Sequence, residues 1–135
     1  MAKYAGILLI AAVLAPAQAR AEWQFIGSDD NGLRFFMDLS TKRQQGKYTL
    51  VWDREDYPKA QVANGKSFNS AKTLTVYDCA EYRYGTKSYL HYSGKSGTGA
   101  VVHSASRELS EVDFEDAAPE TTGEAMLKIA CGKAK

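Results

Sequence analysis

The segment from Lys72 to Tyr92 places the strongest constraint on how this chain can fold. It is rich in Tyr, Thr, Val and Leu, contains no Pro, and predicts two β-strands that meet near Cys79. We expect the strands to pair antiparallel, with Asp78 opposite Tyr82 across a short turn. Because side chains alternate between the two faces of a strand, this register determines which residues lie together.

The predicted register separates apolar from basic side chains. Leu74 and Val76 share one face with Tyr82 and Tyr84. The other face holds hydroxyl, aromatic and basic residues, namely Thr73, Thr75, Tyr77, Arg83 and Lys87. A shift of one residue would place the two aliphatic side chains beside the two basic ones, which a half-buried sheet does not tolerate. The sequence therefore favours the first register.

Alternating apolar and polar residues predict further strands on both sides of this pair. They cover residues 23–27, 33–38, 48–55 and 100–106. The hairpin signal Asn31-Gly32 separates the first two strands. Residues 56–69 contain Pro58 and Gly65, and we expect them to form a long surface loop.

A capping box, Thr121-Thr122-Gly123-Glu124, predicts a helix that continues to about Cys131. The helix has one apolar face, made of Met126, Leu127, Ala130 and Cys131. A helix of about ten residues is not stable alone in water, so it must dock on the sheet. The sequence thus predicts an α+β fold, a single antiparallel sheet of about six strands with a C-terminal helix across one face.

The N-terminal residues have the parts of a secretory signal peptide. Lys3 supplies a positive charge, residues 5–14 form an apolar segment, and small residues allow cleavage after Ala19 or Ala21. We prefer cleavage after Ala21. The apolar segment of about ten residues is half the length that a bilayer span needs, which disfavours an uncleaved membrane anchor.

This prediction divides the chain into a signal peptide of residues 1–21 and one domain of residues 22–135. No Cys stands at the cleavage site, so the mature N-terminus offers no point for lipid attachment. We therefore expect an exported protein without a membrane span, either periplasmic or secreted. The sequence leaves open whether it reaches the cell surface.

Export gives the cysteine count its meaning. Cys79 and Cys131 are the two cysteines of the chain, and in an oxidising compartment they can form one intramolecular disulfide. Such a bond would anchor the C-terminal helix to the middle of the sheet. On the chain-entropy model it could stabilise the fold by about 4 kcal/mol.

Charge and motifs exclude several functions. Loss of residues 1–21 removes two of the 17 basic residues and none of the 16 acidic ones, which leaves a net charge of about −1 and disfavours nucleic-acid binding. The glycine-rich segment 93–99 lacks phosphate-loop spacing, and a strand follows it instead of a helix. No catalytic motif is present, so we expect neither an enzyme nor a cofactor.

Two histidines support the alternative of a small periplasmic enzyme or metal-binding protein. His91 and His103 lie on the strands that flank the glycine-rich segment, and we expect them diagonally placed on one face with Tyr89 and Val101. A third ligand at a matching spacing is missing, so structural histidines are the favoured interpretation.

The distribution of tyrosines favours a binding module. Five tyrosines lie between Tyr77 and Tyr92, and the predicted register adds basic residues to the same face. Tyrosine with arginine is typical of protein-recognition surfaces. The predicted partner-binding residues are Tyr77, Arg83, Lys87 and Tyr89. An ordinary outward sheet face with stabilising cross-strand pairs has the same composition and remains the alternative.

Several short motifs follow one another in a recognisable order, namely Trp23, Phe35 to Ser40 (FFMDLS), Val51-Trp52, Ser70-Ala71-Lys72, Tyr77-Asp78-Cys79, Pro119 and Ala130-Cys131. This order resembles the surface-adhesin protein E family of bacterial envelope proteins. The resemblance implies that the six-stranded sheet is bent and that its C-terminal helix is disulfide-bonded to it.

The resemblance also implies an adhesin that binds host matrix proteins such as vitronectin and laminin, and it allows a homodimer. This sequence lacks the lipidation cysteine of the adhesin, which favours a periplasmic or secreted protein. No ligand-contact residue can be transferred to a position of this chain.

Overall fold

The computed structural model describes residues 10–12 and 20–132. Most of the predicted signal peptide, residues 1–21, lies outside these ranges, as do residues 133–135 of the predicted domain. Among the described residues, no helix is both long enough and apolar enough to span a bilayer.

The chain forms one curled antiparallel sheet, a half-barrel of six strands in sequential order, followed by one helix. The strands are β1 (Gln24–Ser28), β2 (Arg34–Gln45), β3 (Tyr48–Ala63), β4 (Lys66–Asp78), β5 (Arg83–Tyr92) and β6 (Val101–Ser106). A short strand, β7 (Phe114–Asp116), pairs with the start of β5. The helix α1 (Thr122–Cys131) completes the fold. The predicted α+β class and its single bent sheet are confirmed.

The predicted loop at residues 56–69 is wrong. These residues extend β3 and β4 into a long hairpin that turns at Asn64-Gly65, where both residues have positive φ, 49° and 75°. Asn-Gly is the favoured pair for such a turn. Pro58 is tolerated because it lies where the β3–β4 register shifts, between Asp56 and Gln61.

The predicted β4–β5 register is also wrong, by one residue. Asp78 lies opposite Arg83, and Tyr77 opposite Tyr84. The connecting turn includes Tyr82, which adopts a left-handed conformation with φ of 57°, so β5 begins one residue later than expected. A second irregularity follows at Lys87, which has no opposite residue in β4.

The two faces of the sheet are covered differently. On the helix face, α1 packs on a cluster that includes Met37, Val51 and Tyr77. On the opposite face, a second cluster of Leu50, Leu74 and Val76 is covered by Val112 from the segment before β7. Gly85 is required there, because a Cβ would overlap the Asp113 carbonyl oxygen and the Val112 side chain.

The helix is anchored as its sequence predicts. Thr121 Oγ1 accepts a hydrogen bond from the Glu124 amide at 3.2 Å, while the Glu124 carboxylate accepts one from the Glu120 amide instead of the Thr121 amide. Cys79 and Cys131 form a disulfide with a Cα–Cα distance of 5.7 Å. The predicted disulfide-anchored helix is confirmed. Its residues Leu127 and Ala130 are fully buried.

Candidate functional site

A cleft of about 560 Å³ opens on the helix face beside α1. Its apolar walls include Phe35, Tyr84 and Met126, and its polar walls include the hydroxyl groups of Thr73 and Thr75. Gly123 lets the helix approach closely, since a Cβ at this position would overlap the Tyr84 ring. Volume and mixed lining are those of a site for a small organic ligand.

Two carboxyl groups of β3 lie in this cleft. Asp53 and Glu55 are two residues apart and so share the helix face. The Tyr77 hydroxyl donates a hydrogen bond to Asp53 Oδ2 at 2.6 Å, and the Thr73 hydroxyl donates one to Glu55 Oε2 at 3.1 Å. Asp53 is 1% exposed, and its Oδ1 atom forms no hydrogen bond with the described residues.

Burial makes both groups weak acids. It raises the pKa of Asp53 to about 8, although the hydroxyl groups of Tyr77 and Thr75 act in the opposite direction. Glu55 is partly exposed to the cleft but surrounded by protein, and burial raises its pKa to about 7 against the hydrogen bond from Thr73. At neutral pH the cleft therefore holds protons that a cationic ligand could displace.

A second candidate surface crosses the opposite face of the sheet. Basic and aromatic side chains alternate in a row that we call the cation–aromatic row: Phe25, Arg34, Phe36, Arg54, Trp23, Lys72 and Tyr92. Cross-strand pairing explains the row, since Phe25 lies opposite Phe36, Phe36 opposite Arg54, and Arg54 opposite Lys72. Each cation lies 4.1–5.9 Å from the centroids of its neighbouring rings.

The exposed end of the row lies at the β1 edge of the sheet. Phe25 is 49% exposed and Arg34 is also exposed, with its guanidinium carbon 4.9 Å from the Phe25 ring centroid. The middle of the row is buried, and Arg54 is fixed there by two 2.9 Å hydrogen bonds to Asp56. The buried middle of the row thus supports an accessible tip on β1, which is the edge strand of the sheet and pairs with β2.

The four predicted partner-binding residues do not share one face. Tyr77 and Tyr89 lie on the helix face, and Tyr77 is only 1% exposed, so it cannot contact a partner. Arg83 lies on the opposite face, and Lys87 occupies the β5 irregularity. The expected common face is therefore wrong, because it depended on the wrong register. Contact of Arg83, Lys87 and Tyr89 with a partner stays a prediction.

Arg83 has a structural role. Its Nε atom donates a 3.0 Å hydrogen bond to Asp78 Oδ2, and its guanidinium lies 4.6 Å from the Phe114 ring centroid. Burial raises the pKa of Asp78, but Arg83 and the Glu81 amide outweigh it, so the pKa lies below its usual range. Reversal of the Arg83 charge would remove the hydrogen-bonded partner of the buried Asp78 carboxylate and leave it with the more distant Lys47 at 4.0 Å, so this variant cannot test binding alone.

His91 and His103 lie directly opposite each other, not diagonally, with ring centroids 5.5 Å apart. Phe68 stacks on His91 at 4.0 Å. Burial, then His103, lowers the pKa of His91. Across residues 10–12 and 20–132, no group of three His, Cys, Asp or Glu side chains could hold a metal ion.

Sequence reasoning missed both surfaces. Asp53 and Glu55 look like the solvent-facing positions of an alternating strand, and only the docked helix shows that they are enclosed. The cation–aromatic row draws its residues from several strands, so no local pattern reveals it. Its detectable signal is that Arg34 and Phe36, two residues apart, share one face of β2, which an ordinary exposed strand face would also give.

The model of the surface-adhesin protein E family matches residues 23–132. The chain belongs to this family. A search of curated protein sequences gave no match.

Solved structures share the fold of this family member. Crystal form II of Haemophilus influenzae protein E is 15% identical, with a TM-score of 0.63 over 86% of this chain and 91% of that one. A second structure of Haemophilus influenzae protein E gives 16% identity and a TM-score of 0.60 over 86% and 88%. Protein E from non-typeable Haemophilus influenzae gives 16% and 0.54 over 85% and 76%. At these identities the likeness concerns the fold alone.

Proposed function

We propose that the protein is an exported, adhesin-like envelope protein whose function is to bind another protein. The family match over residues 23–132 carries this proposal. Host matrix proteins, with vitronectin and laminin as the first to test, are the proposed partner class. The protein acts as a binding module and not as an enzyme.

The proposed contact surface is the exposed tip of the cation–aromatic row. Phe25 offers an accessible apolar ring on an edge strand, and Arg34 adds a charged group that can form paired hydrogen bonds with a carboxylate. Aromatic and arginine side chains contribute most to binding energy at protein interfaces. The proposed surface is thus a basic and aromatic sheet edge, as the sequence predicts, but its residues differ from the four predicted ones.

Charge indicates which part of a partner would dock. The row contains Arg34, Arg54 and Lys72, and among these three only Arg54 forms an ion pair within the described residues, with Asp56. An acidic segment of the partner is therefore the complementary surface. Positive charge at the tip should accelerate encounter, and salt should weaken that effect because it screens exposed charges.

Biolayer interferometry with immobilised vitronectin, laminin and serum albumin tests this proposal. Residues 22–135 should bind a matrix protein and not albumin, with slower association at high salt. Arg34→Glu should reduce capture several-fold, and Phe25→Ala should accelerate dissociation. Lys42→Glu is the matched control, because Lys42 is an exposed β2 residue outside the row with the same charge change.

Wild-type melting temperatures in both row variants would show that folding is intact. Equal capture by Arg34→Glu and Lys42→Glu would eliminate the row as the contact surface. Absence of binding to every matrix protein would contradict the proposed partner class.

Export belongs to the same proposal. Cleavage of residues 1–21 would release residues 22–135 into the periplasm or the medium, without a lipid anchor. N-terminal sequencing of the protein from fractionated cells should find Glu22 first, whereas cleavage after Ala19 would place Arg20 first. Light scattering on the same sample would show whether it is a homodimer.

A further inference from the structure

The cleft beside α1 has a feature that a structural role does not explain. Asp53 lines the cleft, and its buried Oδ1 atom forms no hydrogen bond with the described residues, although the Thr75 hydroxyl is near enough to lower the pKa of this carboxyl. A buried carboxyl oxygen without a partner is costly, and proteins rarely retain one without a function. Because Asp53 lines the cleft, a ligand bound there is the group that could satisfy this oxygen.

The charge around the cleft identifies the kind of donor. Its titratable and charged groups, besides Asp53 and Glu55 on β3, are Tyr77 on β4, Tyr84 on β5, Glu115 on β7, and the pair Arg107 and Asp113. Arg107 forms an ion pair with Asp113, with an Nη1 to Oδ2 distance of 3.3 Å. Carboxyl groups therefore dominate the lining, and in their ionised form they favour a cation.

The remaining lining identifies the rest of the ligand. Phe35, Tyr84 and Met126 provide apolar and aromatic contacts next to the carboxyl groups. The rings of Phe35 and Tyr84 can interact with an ammonium group and with the methylene groups attached to it. The hydroxyl groups of Thr73 and Thr75 lie close by as further acceptors.

We propose that this cleft binds an alkyl ammonium ion, with the ammonium group at Asp53 and Glu55 and the alkyl chain against Phe35 and Met126. The cation is either a free primary amine or the side chain of a lysine. The site lies on the other face of the sheet from the cation–aromatic row and is independent of the proposed partner surface.

Binding should depend on pH in a defined direction. The cation pairs with ionised carboxyl groups, so a site that is protonated when empty must release protons as it binds. Affinity should increase from pH 6 to pH 8.5, and the medium should gain protons. A carboxyl group that is already ionised when empty would give neither effect.

Isothermal titration calorimetry of residues 22–135 with n-hexylamine tests the proposal, with n-hexanol and hexanoate as probes of matched length. Hexylamine should bind at least tenfold more tightly than hexanol, and hexanoate should not bind. Asp53→Asn and Glu55→Gln should each weaken hexylamine at least tenfold. Asp30→Asn, an exposed control, should leave it unchanged.

Equal affinities for hexylamine and hexanol would show a merely apolar cleft and overturn the proposal, as would retained affinity in a folded Asp53→Asn variant. Absence of hexylamine binding at pH 8.5 would also overturn it. Tighter binding of Nα-acetyl-lysine methylamide than of hexylamine would assign the cation to a lysine side chain, and the reverse to a free amine. Either order supports the site.

Discussion

Asp53 offers the sharpest test of the energetics of this fold. Its pKa is raised by burial from 3.8 to about 8 in the folded protein. Between these values the folded state keeps a proton that the unfolded state has lost. The contribution of Asp53 to stability is therefore greatest at and below about pH 4, and it falls as pH rises towards 8, by up to about 1.4 kcal/mol per pH unit.

Replacement by Asn removes this dependence and retains the shape. At pH 7 the group costs roughly 4 kcal/mol, because pH 7 lies about three units above the unfolded pKa. The Asn carbonyl can still accept the Tyr77 hydrogen bond, but its NH₂ group would take the place of the unpartnered Oδ1 atom. That exchange costs about 1–3 kcal/mol. We expect Asp53→Asn to stabilise the protein by about 2 kcal/mol at pH 7 and to destabilise it at pH 4.

Urea unfolding at about pH 4, 5, 6, 7 and 8 measures the free energy of unfolding of both proteins. The curve of Asp53→Asn should be flatter than that of the wild type, with a residual slope from Glu55, whose pKa of about 7 is also raised by burial. The Asp30→Asn control should follow the wild type. Parallel curves, with Asp53→Asn less stable at every pH, would refute the argument, because they would show that Asp53 folds as a carboxylate.

Three further predictions concern other parts of the fold. Cys131→Ser should lower the free energy of unfolding by about 2–5 kcal/mol in urea titrations and release α1, and an equally stable variant would contradict the anchoring role. Stoichiometric zinc or copper should leave the melting temperature unchanged, whereas a shift of many degrees that His91→Ala removes would revive the metal-binding alternative. Gly85→Ala should lower the free energy of unfolding by about 1–3 kcal/mol, because its Cβ would overlap the Asp113 backbone. An unchanged free energy of unfolding in urea titrations would show that the segment covering Gly85 can move aside.

The sequence predicted those features that arise from local patterns. Alternation in β1, β2 and β3, the capping residue Thr121 and the apolar face of α1 are each encoded within a few residues. The disulfide followed from having two cysteines. Such signals do not depend on the distant chain, so sequence alone is sufficient to read them.

Features that depend on irregular backbone could not be predicted. The left-handed Tyr82 and the unpaired Lys87 shift the β4–β5 register, and no residue at either position favours these conformations strongly. Because of this shift, Tyr77 and Arg83 lie on opposite faces of the sheet, and the predicted binding face does not form. Pro58 led to the prediction of a loop, because no sequence pattern indicates the irregularity of β3 that accommodates a proline.

Hydrogen–deuterium exchange of residues 22–135, free and saturated with a matrix protein that they bind, would test most directly whether the β1 edge and the cation–aromatic row form the contact surface. Backbone amides in residues 23–36 should exchange more slowly in the complex, because the exposed tip at Phe25 and Arg34 lies there. Slower exchange confined to residues 83–106, with residues 23–36 unchanged, would contradict the account and place the partner on β5 and β6 instead.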